Sequence, residues 1–134
     1  MQAFLQISAE RYPDRICTIT DGHRLTYRDV NRLSDMVGRG LLRLGLTKGD
    51  RVAIMMPNSH EFIILYYGIL KAGGVVAAVN PQYKPRELEF QLRDSGARFL
   101  IAFKDQMDVI SIIEDSTAIE HVIISEPDDL HRIG

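Results

Sequence analysis

The stretch Ile69–Pro81 places the strongest constraint on what this chain can fold into. It has the pattern of a buried helix end, a Gly73-Gly74 stop, and a short apolar strand that Asn80-Pro81 closes. A strand without polar alternation is typical of a parallel sheet covered on both faces, and a helix that is apolar nearly all round is also buried. The stretch therefore predicts a helix-to-strand crossover near the middle of an α/β core.

Four short β-prone runs with regular spacing extend this pattern, and helical patterns lie between them. The runs are Arg51–Met55, Val75–Val79, Phe99–Phe103 and His121–Ser125. The intervening helical stretches are Ser59–Ala72, Pro85–Ser95 and Asp105–Asp115. This alternation is typical of βα units joined by right-handed crossovers. The sequence predicts an α/β fold with a mostly parallel sheet of about four βα units.

The residues before Arg51 predict a different structure for the start of the chain. A short helix over Phe4–Tyr12 ends at Pro13, and Asp21-Gly22 between two β-prone runs, Ile16–Thr20 and His23–Leu25, indicates an antiparallel hairpin. Thr26 and Asp29 then form the pattern of a capping box. The helix behind it has an apolar stripe and a glycine stop of the Schellman type at Gly45. The stripe consists of Val30, Leu33, Val37, Leu41 and Leu44.

This organisation predicts one incomplete domain in three parts. Residues 1–26 form the N-terminal helix and hairpin, residues 27–125 the βα-repeat part, and residues 126–134 a polar linker or truncated end. Four parallel strands require helices on both faces, and the sequence offers too few of them. We therefore expect the chain to be a fragment.

Composition limits the class of protein. A net charge of −2 argues against nucleic acid as a partner, and a single cysteine, Cys17, indicates a reducing compartment. The longest apolar run, Phe62–Leu70, is about half the length of a membrane span, and residues 1–12 lack a signal-peptide pattern. These features predict a cytoplasmic protein without a transmembrane segment.

A search for reactive groups finds no catalytic constellation. The sequence contains neither a GxxxxGK[ST] loop nor a GxGxxG motif, and Gly73-Gly74 precedes a strand and not a helix N-terminus. The four histidines share no metal-ligand spacing with one another or with Cys17. Ser59, His60 and Glu61 are consecutive in a helix, so they point in different directions and form no relay. We predict no catalytic and no metal-binding residue.

The carboxyl ends of the predicted strands remain as candidates, because open parallel sheets bind ligands beyond that edge. Those ends are Met56-Pro57-Asn58, Asn80-Pro81-Gln82-Tyr83, Lys104-Asp105 and Ser125-Glu126. They hold amides, a tyrosine and a lysine, without a cluster of acids or bases. Ordinary loop chemistry explains these residues as well as ligand binding does.

Several segments, taken together, indicate a protein family more specifically than any one of them does. In their order and spacing they resemble the opening motifs of the AMP-forming, adenylate-forming enzymes, and of the medium- and long-chain acyl-CoA synthetases in particular. The segments are Tyr12–Arg15, Leu25–Val30, Gly49–Ile54 with Pro57-Asn58, Leu70–Gly74 with Val79–Pro81, Pro85–Leu88, and Asp94–Ala97. The resemblance covers residues 4–125 and implies the start of the large N-terminal domain of that fold.

The resemblance also implies a reaction for a longer parent enzyme. A fatty acid and ATP, with Mg²⁺, give an acyl-adenylate and pyrophosphate, and the coenzyme A thiol then displaces AMP. The phosphate loop and the catalytic lysine of that family lie downstream, which implies a scaffold without activity of its own. Among the present residues the resemblance places Asn80, Pro81 and Lys104 near the coenzyme A path.

Two alternatives stay open at this stage. The chain is either the N-terminal part of such a ligase or a free-standing α/β binding or interaction module. As partners we expect the remainder of the ligase chain, or a second copy that associates through an exposed apolar face. The acyl chain length is not encoded in these motifs.

Overall fold

The computed structural model describes residues 10–11, 16–20, 23–57 and 59–125. Its strands are β1 Ile16–Thr20, β2 His23–Thr26, β3 Arg51–Met55, β4 Val75–Val79, β5 Phe99–Phe103 and β6 His121–Ser125. Its α-helices are α1 Tyr27–Arg43, α2 His60–Lys71, α3 Pro85–Ser95 and α4 Met107–Ile113. Residues 10–11 are helical, and the rest of the predicted first helix, the Asp21-Gly22 turn, Asn58 and residues 126–134 lie outside the described residues.

The four predicted βα strands form one parallel sheet in the order β4-β3-β5-β6. Arg51 pairs with Val75, Val52 with Phe99, and Phe99 with His121, which brings the start of each strand to the same edge. β1 and β2 form a separate antiparallel pair, whose register shifts between Ile16 and Thr18. These pairings confirm the predicted α/β fold with a parallel sheet and an antiparallel hairpin.

Both faces of the central strands are covered, so the predicted shortage of helices is wrong for the middle of the sheet. One set of side chains packs against α2 and the end of α1, and it includes Val52, Ile54, Phe99 and Ile101. The alternate set packs against α3 and α4, and it includes Ala53, Met55, Leu100 and Ala102. Four helices are enough to cover both faces of the sheet, because the crossover helices lie on opposite faces of it. Within this sheet, the edge strands β4 and β6 are exposed or half-buried over most of their length.

Helix α1 begins and ends as its sequence predicts. Thr26 Oγ1 accepts from the Asp29 amide, and Asp29 Oδ2 accepts from the Thr26 amide, each over 3.2 Å. The Gly45 and Leu46 amides donate to the carbonyls of Leu42 and Leu41, and Gly45 has φ +98°, which completes a Schellman stop. One stripe residue departs from the prediction, because Leu44 is the C-cap and is 43% exposed.

The crossover Ile69–Pro81 has the predicted form. Helix α2 is capped by Ser59, whose hydroxyl accepts from the Phe62 amide, and it ends before Gly73 at φ +89°. The Gly74 amide donates to the Ile69 carbonyl over 2.9 Å, so the two glycines close a helix end. The last predicted helix is shorter than expected, since Lys104–Gln106 and Glu114–Ser116 are 3₁₀ turns on either side of α4.

Candidate functional site

The sheet has one topological switch point, between β3 and β5. β3 continues into α2 on one face, whereas β5 continues through α4 on the other face. In open α/β sheets this divergence opens a crevice at the carboxyl ends of the two strands, where ligands bind. The residues that follow the strands at this edge include Met56-Pro57 after β3, Asn80-Pro81 after β4 and Lys104 after β5.

A cavity of about 320 Å³ lies at this edge, next to the ends of β3 and β4. Asn80 and Pro81 both line it, and Lys104 does not. The structure therefore brings together two of the three residues that the resemblance singled out. The other lining residues are Met56, Pro57, Phe62, Ala78 and Val79.

Asn80 determines the shape of the loop that closes this cavity. Its side-chain Oδ1 accepts from the Gln82 amide over 2.9 Å, and its carbonyl accepts from the Tyr83 amide over 3.1 Å. Asn is typical of this arrangement because its short amide satisfies the backbone two residues further on. Asn80 thus holds Pro81 at the rim of the cavity.

The cavity offers polar and apolar surface in similar amounts, so it suits a group that carries both. Its lining offers side chains of Pro, Met, Phe, Ala and Val with one amide, and contains no cation to hold a triphosphate. Across the described ranges, no group of three His, Cys, Asp or Glu residues is arranged to hold a metal ion. These residues therefore fit neither ATP nor Mg²⁺.

An ionic cluster around Arg98 lies at the opposite end of the strands, where they begin. Sequence reasoning missed this cluster. Arg98 Nη1 donates to Asp50 Oδ2 over 2.6 Å and to the Gly45 carbonyl over 2.9 Å, and its Nε donates to Glu120. The Thr47 amide at 2.8 Å and the Arg98 guanidinium hold the pKa of Asp50 below its usual value. Glu120 and Asp50 in turn raise the pKa of Arg98. The cluster ties the starts of β3, β5 and β6 together and lies far from the candidate site.

A second cluster joins the two helices that cover one face. Lys71 Nζ, at the end of α2, donates to Asn31 Oδ1, Ser34 Oγ and Asp35 Oδ1 over 2.7–2.8 Å, and to the Asn31 carbonyl over 3.0 Å. The spacing of Asn31, Ser34 and Asp35 on one side of α1 was the only sequence signal for this contact. Lys71 acts in packing and does not reach the cavity residues.

Comparison with known proteins decides the family. A model described as AMP-binding enzyme matches residues 5–132. The chain belongs to the AMP-binding enzyme family. This result confirms the family that the sequence motifs indicated.

Curated members of the AMP-binding enzyme family are similar to this chain over a limited part of their length. A long-chain-fatty-acid–CoA ligase of Escherichia coli O6:H1 is 41% identical over 123 residues, which are 91% of this chain and 22% of the ligase. One from Bacillus subtilis is 43% identical over 101 residues, which are 75% of this chain and 18% of the ligase. The chain thus spans about a fifth of the length of the relatives it matches.

A solved structure in the AMP-binding enzyme family has the same fold. A fatty acyl CoA synthetase from Mycobacterium tuberculosis superposes with a TM-score of 0.87 at 31% identity, over 98% of this chain and 27% of that one. The predicted architecture is therefore that of adenylate-forming enzymes. None of the helices in the described part of the chain has the length and apolar character of a membrane span.

Proposed function

We propose that this chain is the scaffold at the start of an ATP-dependent, AMP-forming acyl-CoA ligase. The parent converts a fatty acid, ATP and coenzyme A into acyl-CoA, AMP and pyrophosphate in the cytoplasm, with peripheral contact to a membrane. The observation that carries the proposal is the 41% identity to a long-chain-fatty-acid–CoA ligase over 91% of this chain but only 22% of that enzyme. The division into residues 1–26, 27–125 and 126–134 belongs to the same proposal.

In this proposal the chain contributes position and shape to catalysis and no reacting group. Asn80 and Pro81 form one wall of the path of coenzyme A, and Lys104 lies further along the same sheet edge. The cavity, which offers both polar and apolar surface, accepts a thin segment such as a pantetheine arm, with the Asn80 turn as its fixed rim. ATP and Mg²⁺ bind to residues of the parent beyond this chain.

A graft tests this proposal. In the graft, the matched 123-residue segment of the E. coli ligase is replaced by the aligned residues of this chain. We expect the graft to form acyl-CoA from a long-chain fatty acid, ATP and coenzyme A, because the two segments share fold and sequence. The 134-residue chain alone should release no pyrophosphate from ATP and a fatty acid. A folded graft without ligase activity, or pyrophosphate release by the chain alone, contradicts the proposal.

One observation favours a second candidate, a free-standing α/β interaction module. Because the central strands β3 and β5 are buried under helices on both faces, the described unit has a core of its own. If the chain is such a module, it should melt cooperatively as a monodisperse monomer and should not bind the separately expressed remainder of the E. coli ligase. Light scattering of the purified chain also tests self-association through exposed apolar side chains such as Phe90 and Ile112.

A further inference from the structure

Strand β4 is an edge of the parallel sheet, and an exposed stripe of α3 runs beside it. The stripe borders a cleft of about 560 Å³ and consists of Tyr83, Arg86, Glu87, Phe90, Gln91 and Asp94. Phe90 is 72% exposed. We propose that a second copy of this chain docks here, so that two molecules associate about a two-fold axis through β4 and α3. This association is a property of the 134-residue chain and does not require the parent ligase.

The outer side of β4 carries backbone groups that can pair with another strand. The Val75 amide donates over 2.8 Å to the carbonyl of Asp50, which directly precedes β3. Because the backbone groups of successive residues point to opposite sides of a strand, those of Val76 and Ala78 point away from β3. Gln91 Nε2 accordingly reaches the Ala78 carbonyl from outside the sheet, over 3.2 Å. A carbonyl oxygen has two lone pairs, so this one also accepts from a partner strand.

An antiparallel pair of β4 strands centred on Ala77 uses these outward groups. Val76 of each copy then faces Ala78 of the other, and the two residues exchange amide-to-carbonyl hydrogen bonds. Val75 faces Val79, and Ala77 faces its own counterpart, so small side chains meet at the axis, where the strands are closest. The five residues of β4 are all Val or Ala, without the charge or proline that blocks pairing at many strand edges.

The charges of α3 match under the same symmetry. Phe90 is the middle residue of α3, with Arg86 four positions before it and Asp94 four positions after it on the same side of the helix. When two α3 helices pack antiparallel with Phe90 at the axis, Arg86 of each copy faces Asp94 of the other. The two Phe90 rings then cover each other. A two-fold interface requires such a self-complementary surface, so the stripe selects a second copy as its partner.

One contact indicates that the strand pair and the helix pair share an axis. The bond from Gln91 to Ala78 places the middle of α3 beside the middle of β4. Leu88, on the buried side of α3, packs in one cluster with Ala53 of β3 and Val79 of β4, so α3 lies over these two strands. Paired strands are about 4.8 Å apart, which brings two helices in this position to about the 8–10 Å at which helices pack. The net charge of −2 adds little general repulsion between the copies.

Charge reversal tests this interface on the 134-residue chain, with sedimentation equilibrium as the measurement. We expect a dimer with a dissociation constant of about 20 μM, typical of a small interface, so the chain is mainly monomeric at about 1 μM. Arg86→Asp and Asp94→Arg should each weaken dimerisation at least about tenfold, because like charges then face each other at both ends of the interface. An equimolar mixture of the two variants should dimerise as well as the unmodified chain, since every contact in the mixed pair joins opposite charges.

The centre of the interface is tested by Phe90→Asp, which should abolish the dimer. Ile112→Asp is the matched control, because Ile112 is 68% exposed on α4, outside the interface, and this variant should dimerise normally. Circular dichroism checks that each variant is folded. Hydrogen exchange tests the strand pairing, since the amides of Val76 and Ala78 should exchange at least about tenfold more slowly at 200 μM than at 1 μM.

Several results overturn the inference. They are a chain that stays monomeric at 200 μM, a dimer that the charge reversals or Phe90→Asp leave intact, and a mixture of the two charge variants that remains monomeric. A dimer that Ile112→Asp disrupts also overturns it, because the copies then associate through α4. Equal exchange of the Val76 and Ala78 amides at both concentrations excludes the pairing of β4 and overturns it as well.

Discussion

Gly68 of α2 lies so close to Val37 of α1 that a β-carbon at position 68 would be 2.6 Å from Val37 Cγ1. The Ser34 carbonyl would be 3.0 Å from the same atom. Gly38 faces this point from α1, where an added β-carbon would lie 3.1 Å from the Gly68 carbonyl. The two helices therefore pack against each other through a close glycine contact.

Gly68→Ala should destabilise the protein by about 1–2 kcal/mol. The overpacking cost of about 1–3 kcal/mol exceeds the gain of about 1 kcal/mol in helix propensity. Gly40→Ala is the matched control, because an added β-carbon there meets nothing within 4 Å. It should raise stability by about 0.5 kcal/mol. Urea unfolding followed by circular dichroism measures both variants, and equal stabilisation by the two would refute the close contact.

The strands and helix ends were predictable from sequence because their signals are local. The runs Val52–Met55 and Val75–Val79 are apolar throughout, and Thr26, Gly45 and Gly96 mark helix ends through hydrogen bonds to near neighbours. The cover of the sheet was not predictable in the same way. It depends on which face each crossover takes, and that follows from the strand order β4-β3-β5-β6, which no local pattern encodes.

The candidate site was predictable only in part, for the same reason. The strand-end rule placed Asn80 and Pro81 at the carboxyl edge, and in the structure both line one cavity there. Lys104 follows β5, and β3 separates that strand from β4, so the cavity excludes it. The long-range contacts of Arg98 with Asp50 and Glu120 required the strand register, since these residues are distant in sequence.

Lys71→Met should lower the free energy of unfolding by about 2 kcal/mol. The Lys71 side chain is 15% exposed and its ammonium donates to three side chains of α1, and hydrogen bonds to a charged group contribute about 1.5–3 kcal/mol. The variant leaves Ser34, which is fully buried, without this donor. Lys48→Met in the exposed loop before β3 is the control and should change stability by less than about 0.5 kcal/mol. Thermal and urea unfolding provide the measurement, and a Lys71 effect as small as that of Lys48 would show that the cluster is not stabilising.

Asp50→Asn should destabilise the protein at pH 7 and much less at pH 3. The Thr47 amide and Arg98 lower the pKa of the folded carboxylate. The contribution of Asp50 is therefore fully present above the unfolded value of about 3.9 and is lost as pH falls through the folded value. Urea midpoints of the wild type and the variant should converge on acidification. Asp94→Asn, on the exposed side of α3, is the control and should follow the wild-type profile. A constant gap between Asp50→Asn and the wild type would exclude this linkage.

Asn80→Ala should weaken coenzyme A use by the graft, because it removes the acceptor that holds the rim of the cavity. Loss of the 2.9 Å bond from the Gln82 amide should cost about 1 kcal/mol, equivalent to about a fivefold rise in the KM for coenzyme A. The KM for ATP should stay unchanged, since the cavity lining lacks groups for a triphosphate. Asn80→Asp retains an oxygen at the same position and is the matched control, with a KM for coenzyme A near that of the unmodified graft. Steady-state kinetics with each substrate varied in turn separates the two constants. An equal rise in both, or none in either, would remove Asn80 from the coenzyme A path and leave it as a turn residue.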